Sequence, residues 1–208
     1  MTSLLLANID IWSLLGYIIA IIALAYIFYM LIRHALIPFV KKLKHGFFVT
    51  PQFNKLDKTK FKKIKKMHLY EGHHRTFVDY VLISNYGLFL VSRKDVYGVV
   101  EKSQDRAGNI NRYKGHSRYL NDYVAENMRD IEKMKAISHI FREVEIYSVV
   151  VYPDKTEVKV TAEKGFAGNL RDMLGFIISQ CNESKAISDE KKEELYKLLR
   201  KENSKNTG

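Results

Sequence analysis

Asp79, Ser92 and Lys94 fall on or beside two apolar runs that a tight turn joins. Val81, Leu82 and Ile83 make the first run; Leu88, Phe89, Leu90 and Val91 make the second. Ser84, Asn85, Tyr86 and Gly87 supply turn chemistry between them. Asp79 heads the first run, and Lys94 stands just past the second. A carboxylate and an ammonium on neighbouring strands of one sheet support two kinds of arrangement. In one, the carboxylate holds a hard cation such as Mg2+, which activates a water beside the ammonium. In the other, the two groups form a structural ion pair at a sheet end, specific but not strongly stabilising. Ser92 and Lys94 are two positions apart, so on a strand they share a face.

Other chemistry is sparse. His73 and His74 are adjacent and would point to opposite faces of a strand, and His68, His116 and His139 show no ligand spacing. Cys181 is the only cysteine, so no intrachain disulfide or Cys-pair zinc site can form. The chain has no Gly-rich phosphate loop and no nucleophile motif. Tyr113, Tyr119 and Tyr123 are interleaved with Arg112, Lys114 and Arg118, a pattern that can stack bases and hold phosphates.

The segment from Phe77 to Gly98, and onward to Tyr152, resembles the nuclease-related domain (NERD) family, a branch of the restriction-endonuclease-like fold. Asp79, Tyr86, Gly87, Lys94 and Gly98 fall in the family's places. The resemblance implies a core of a helix, three antiparallel strands, a helix and a further strand. It also implies catalytic roles for Asp79 and Lys94, with Mg2+ as the cofactor of an active enzyme. Two departures stand out. Ser92 occupies the position of the family's catalytic Glu, so Glu-x-Lys has become Ser92-Arg93-Lys94, and Tyr80 stands where His is usual. A neutral hydroxyl is a weak ligand for Mg2+. No acid equivalent to the family's first-helix carboxylate is found between Lys41 and Lys66, where Asp57 is the lone acid. The Gln expected early in the next helix is replaced by Ala125 or Glu126. Three readings of the site remain open: a retired nuclease that now binds nucleic acid or a protein partner, an active nuclease whose missing acid comes from Glu71, Asp95 or Glu101, and a structural Asp79–Lys94 pair; a membrane-tethered structural or recruitment module is the further functional alternative. Glu101 is the preferred relocated ligand, giving Asp79 and Glu101 as the candidate metal set.

Charge is unevenly placed. All 34 Lys and Arg lie at Arg33 or beyond, and Asp10 alone of the 23 acids precedes it, so the part after residue 32 carries 34 basic against 22 acidic residues. An excess of that size suits a polyanion, either nucleic acid or anionic lipid. Lys62, Lys63, Lys65, Lys66, Arg112, Lys114 and Arg118 are the candidate phosphate contacts.

The amino-terminal part has a different solvent in view. Residues 11–32, IWSLLGYIIAIIALAYIFYMLI, hold no charge and would extend about 33 Å as a helix, enough to cross a hydrocarbon core. Trp12 marks one end and Tyr26, Phe28 and Tyr29 the other, as interface aromatics do. The run lacks the basic start and small-residue cleavage site of a signal peptide, so it is expected to be retained. Ten lysines between residues 41 and 66, with Asp57 the only acid among them, place the carboxyl-terminal side in the cytoplasm and residues 1–10 outside. Gly16 and Ala20 have small-xxx-small spacing, a weak dimerisation signal.

The elements that must position Asp79 and Lys94 follow. A basic connector is expected at 33–66, a NERD-like domain at 67–183, and a helix with a disordered tail at 184–208. Within the domain, strands are expected at 77–84, 87–94 and 96–102, a return strand at 110–113, and a helix over 118–141. Strands at 145–152 and 156–160 and a helix lined by Leu170, Met173, Leu174, Ile177, Ile178 and Cys181 follow. Ser188 is expected to cap a last helix over 189–201. The fold class is α/β (α+β): one apolar helix, then a mixed sheet flanked by helices.

Overall fold

The computed structural model describes residues 11–36, 49–71, 74–183 and 187–205. Contacts divide the chain into two compact units, Met1–Phe47 and Phe48–Gly208.

In the first unit, helix α1 (Ile11–Leu31) runs into a π-helical segment, Ile32–Leu36. Large apolar side chains on every side of α1 are exposed, from Leu14 to Ile32. The stretch Leu14–His34 has a mean hydropathy of 2.5 and is long and apolar enough to cross a membrane. A helix apolar all round is at home in lipid or in a large core, and this one is not buried. It is compatible with a membrane anchor. The expected external terminus at 1–10 and the lysines at 41, 42 and 44 lie outside the described residues.

The second unit starts earlier than the charge pattern suggests. Val49, Phe53 and Leu56 are buried, and a single helical turn, α2 (Thr50–Phe53), precedes strand β1 (Phe61–Glu71). The lysine-rich stretch up to Lys66 was expected to be a connector. Its described end, from Phe61, is instead an edge strand, because Ile64, Met67 and Leu69 bury themselves between the lysines. Strands β2 (His74–Ser84) and β3 (Gly87–Arg93) form the expected hairpin, with Tyr80 opposite Val91 and Ile83 opposite Leu88.

Strand β4 (Gly98–Lys102) was expected as the third strand of this sheet. It leaves to found a second one, pairing with β5 (Asn109–Tyr113), which pairs in turn with β6 (His116–Leu120). The helix expected from residue 118 begins later, as α3 (Tyr123–Ile137), because Arg118, Tyr119 and Leu120 are spent on β6. A 3-10 turn, His139–Arg142, leads to β7 (Ile146–Tyr152), then β8 (Thr156–Lys159) and β9 (Gly165–Asn169). Helices α4 (Leu170–Glu183) and α5 (Asp189–Lys205) follow; α5 reaches four residues past its expected end.

The five-stranded sheet has the order β1-β2-β3-β7-β9, with β7 parallel to β3 and to β9. The four-stranded sheet has the order β6-β5-β4-β8, with β8 parallel to β4. On one face of the first sheet, Val81, Ile83, Leu88 and Leu90 meet Ile131 and Met134 of α3 and Leu195 and Leu199 of α5. On the other, Phe89 stacks on Tyr147, which meets Phe176 of α4 edge-on. Val100 of the second sheet joins Val150 and Tyr152 in a smaller core against which Tyr123 and Val124 pack. That junction carries the end of β3 and the start of α3, where the candidate residues lie.

Candidate functional site

Asp79 sits at an irregularity in the sheet. Val78, Val81 and Ile83 all enter the same core, so the two-residue alternation of β2 breaks between 78 and 81. Lys66 falls opposite Asp79 on β1, between the pairs Lys65–Tyr80 and Met67–Val78, and has φ +53°. The break turns Asp79 away from the alternation its neighbours follow. Asp79 uses its freedom to accept a 2.7 Å hydrogen bond through Oδ2 from the backbone N–H of Arg93.

Ser92 points the other way from its neighbour Arg93, into the β3–α3 interface. It is 5% exposed, and its hydroxyl donates to Oδ1 of Asn127, itself 1% exposed. The Asn127 amide donates in turn to the carbonyls of Leu90 at 3.0 Å and Val149 at 3.5 Å, tying α3 to both β3 and β7. Position 92 is therefore closed by a neutral hydrogen-bonded pair, with every Asn127 polar atom engaged.

Lys94 extends the parallel pairing one residue past the strand, its N–H donating to the Val151 carbonyl at 2.9 Å. Its ammonium lies 3.4 Å from Glu126 Oε2 and 4.2 Å above the centre of the Tyr123 ring. Asp122 starts α3 as its N-cap, accepting from the N–H groups of Val124 and Ala125. The first turn then presents Tyr123, Glu126 and Asn127 on one side, as i, i+3 and i+4 spacing requires. Glu126 is held from behind by Asn121, whose amide donates to Oε1 at 2.6 Å. Burial first, then the Glu126 charge, pushes the Tyr123 phenol up, and Arg118 opposes that shift.

Gly98 follows where the chain turns into the second sheet. Its φ is +97°, and a Cβ there would stand 2.2 Å from the Arg112 carbonyl oxygen, so only glycine lets β4 run this close to β5.

These donors do not suit a magnesium site. Ser92 is neutral and bonded, one Asp79 oxygen is taken by a backbone N–H, and Glu126 is shared between Lys94 and Asn121. Among the described residues, no group of three or more His, Cys, Asp or Glu could hold a metal ion. Glu101, the expected second ligand, lies on β4 in the other sheet and pairs with Arg112 at 2.9 Å. Asp95 hydrogen-bonds Tyr97, and Glu71 closes β1.

The candidate phosphate contacts divide between the two sheets. Arg112, Lys114 and Arg118 stand exposed on the β5–β6 hairpin, whose turn is made by Lys114 (φ +52°) and Gly115 (φ +80°). Tyr113 and Tyr119 on that hairpin are each 47% exposed, and Arg106 lies 3.7 Å above the Tyr119 ring. Lys62, Lys63, Lys65 and Lys66 lie on β1, where Lys62 pairs with Glu193 of α5. Sequence reasoning passed over Asn127 and the facing of Glu126. Their signal was a polar residue on the apolar stripe of α3, in helical register with Ile131 and Met134.

A mixed sheet with Asp79 on one strand, Lys94 at the end of the next and a helix crossing behind them is an α/β arrangement consistent with a nuclease-related fold. The model of the nuclease-related domain family matches residues 44–153, just over half of the chain, and the protein belongs to that family. No curated protein and no solved structure matches it.

Proposed function

We propose that this protein is a single-pass membrane protein whose cytoplasmic nuclease-related domain binds nucleic acid and has lost efficient cleavage. The reading rests above all on the Ser92–Asn127 hydrogen bond, which fills the place where the resemblance puts the catalytic Glu. Lys94, the other half of the expected motif, is spent on Glu126. Asp79 and Lys94 then act as positioning residues: Asp79 fixes the end of β3, and Lys94 offers part of its charge to a passing phosphate. The exposed β5–β6 hairpin supplies the affinity through Arg112, Lys114 and Arg118, with Tyr113 and Tyr119 as stacking platforms. The uncharged run of α1, followed by lysines, sets the topology.

Full-length protein in neutral-lipid nanodiscs, titrated against a labelled single strand of about 20 nucleotides, tests the reading. Binding that weakens log-linearly with salt is expected. Supercoiled plasmid incubated with Mg2+ or Mn2+ should stay uncut. Absence of binding at low salt would remove the nucleic-acid assignment. Cutting that Asp79→Ala abolishes would establish an active nuclease in its place.

A further inference from the structure

Lys55, Lys58, Lys63 and Lys65 gather at one corner of the five-stranded sheet, and we propose that this corner docks on the anionic headgroups of a lipid bilayer. The inference rests on the reading of α1 as a membrane anchor. Strand β1 is the sheet's edge, and Lys63 and Lys65 stand opposite Leu82 and Tyr80. That is the face where α2 lies, with Phe53 packed edge-on against Tyr80 at 5.2 Å. Lys55 and Lys58 follow α2 in a loop held by backbone bonds from Lys55 to Gln52 and from Phe61 to Asp57. The Lys63 ammonium donates to Asn54 Oδ1 at 2.9 Å, joining the strand to the loop.

All four lysines are exposed, and none is ion-paired among the described residues. Asp57, the only acid in the segment, is occupied by the Thr59 N–H and hydroxyl. The crowding is physical: burial first, then the charges of Lys65 and Lys58, pushes the Lys63 ammonium down. Contrast Lys62 on the opposite face of the same strand, which the fold neutralises with Glu193. A cluster of like charges left without acids is stabilised by an outside polyanion.

Lipid fits better than nucleic acid here. Only the twelve residues 37–48 separate the end of the apolar helix region from Val49, so anchoring places the patch at high effective concentration near headgroups. The cations are all lysines, compact point charges that accept phosphates in any orientation. The arginines and exposed tyrosines suited to bases lie on the other sheet, on the β5–β6 hairpin.

Amide hydrogen exchange on the full-length protein tests this, in nanodiscs of phosphatidylcholine alone and with phosphatidylglycerol added. Residues 54–66 are expected to exchange on the order of tenfold more slowly in the anionic discs. The protection should vanish in about 1 M salt, where the screening length falls to about 3 Å. It should also vanish in the Lys55→Glu, Lys58→Glu, Lys63→Glu, Lys65→Glu variant. Equal exchange in both discs would overturn the docking and leave the anchor standing. Protection raised by an added oligonucleotide in neutral discs, and not by anionic lipid, would reassign the patch to nucleic acid. A chain that enters neither disc would refute the anchor and this inference with it.

Discussion

Lys94 and Glu126 face each other at 3.4 Å across the gap between the end of β3 and the first turn of α3. Both side chains are about three-quarters buried, so the pair is shielded from full solvent screening. The carboxylate then competes with any phosphate that approaches the ammonium. Glu126→Gln is expected to tighten nucleic-acid binding about fivefold at low salt, and Lys94→Ala to weaken it by a similar factor, equivalent to about 1 kcal/mol each. Anisotropy titrations of the two single variants and the double variant measure this. In the Lys94→Ala background, the gain from Glu126→Gln should be largely lost. Independent, additive effects would show that the two side chains do not share a ligand.

The Ser92–Asn127 bond makes a prediction of the opposite kind, about stability. Asn127 serves three partners inside the core, so Asn127→Ala is expected to cost about 2 kcal/mol, read as a lower unfolding midpoint. Ser92→Ala should cost less, since it removes one partner of one bond. Ser92→Glu restores the family's residue type on paper but would place a carboxylate at a 5% exposed position against a buried amide. It should destabilise the domain by several kcal/mol, with no rescue by Mg2+. A Ser92→Glu protein that melts like the parent and is stabilised by Mg2+ would mean the interface opens readily and can host a metal.

Much of the scaffold was legible because its signals are local. The β2–β3 hairpin, strand β7 and helices α4 and α5 follow from apolar runs, turn residues and caps. The β4–β5 return was expected, but its separation into a second sheet was not legible, because nothing in Val99, Val100 and Glu101 states that they leave β3. Strand β1 was hidden for another reason. Its lysines dominate composition, and only Ile64, Met67 and Leu69 reveal that one side is buried. Asp79 and Lys94 lie where spacing from the turn puts them, on β2 and just past β3. Glu126 and Asn127 face the end of β3 only through tertiary packing of α3, so the acid opposite Lys94 comes from a helix and not from Glu101 on β4.

Far from this site, Lys192 pins the last helix to the β2–β3 turn, and the arrangement sets an acid limit on stability. Its ammonium, 4% exposed, donates to the Thr59 carbonyl at 2.9 Å and to Asn85 Oδ1 and Asp189 Oδ1, each at 2.7 Å. Three acceptors match its three protons, so the charge is fully solvated by protein. Lys192→Met would strip those acceptors and is expected to cost about 2 kcal/mol. The Asn85 amide and the Lys192 ammonium hold the Asp189 carboxyl below its usual range. Glu143 is lowered in the same way by Lys191, whose ammonium lies 2.7 Å away. A depressed folded value means the native state binds fewer protons than the unfolded one. The stabilisation is therefore complete above the unfolded value of about 4 and is lost as pH falls through the folded values. Melting temperatures recorded from neutral pH down to about pH 3 should show the parent falling toward Asp189→Asn as the carboxylate titrates. A parent–variant gap that stays constant across that range would show that Asp189 contributes through hydrogen bonding alone, with no part played by its charge.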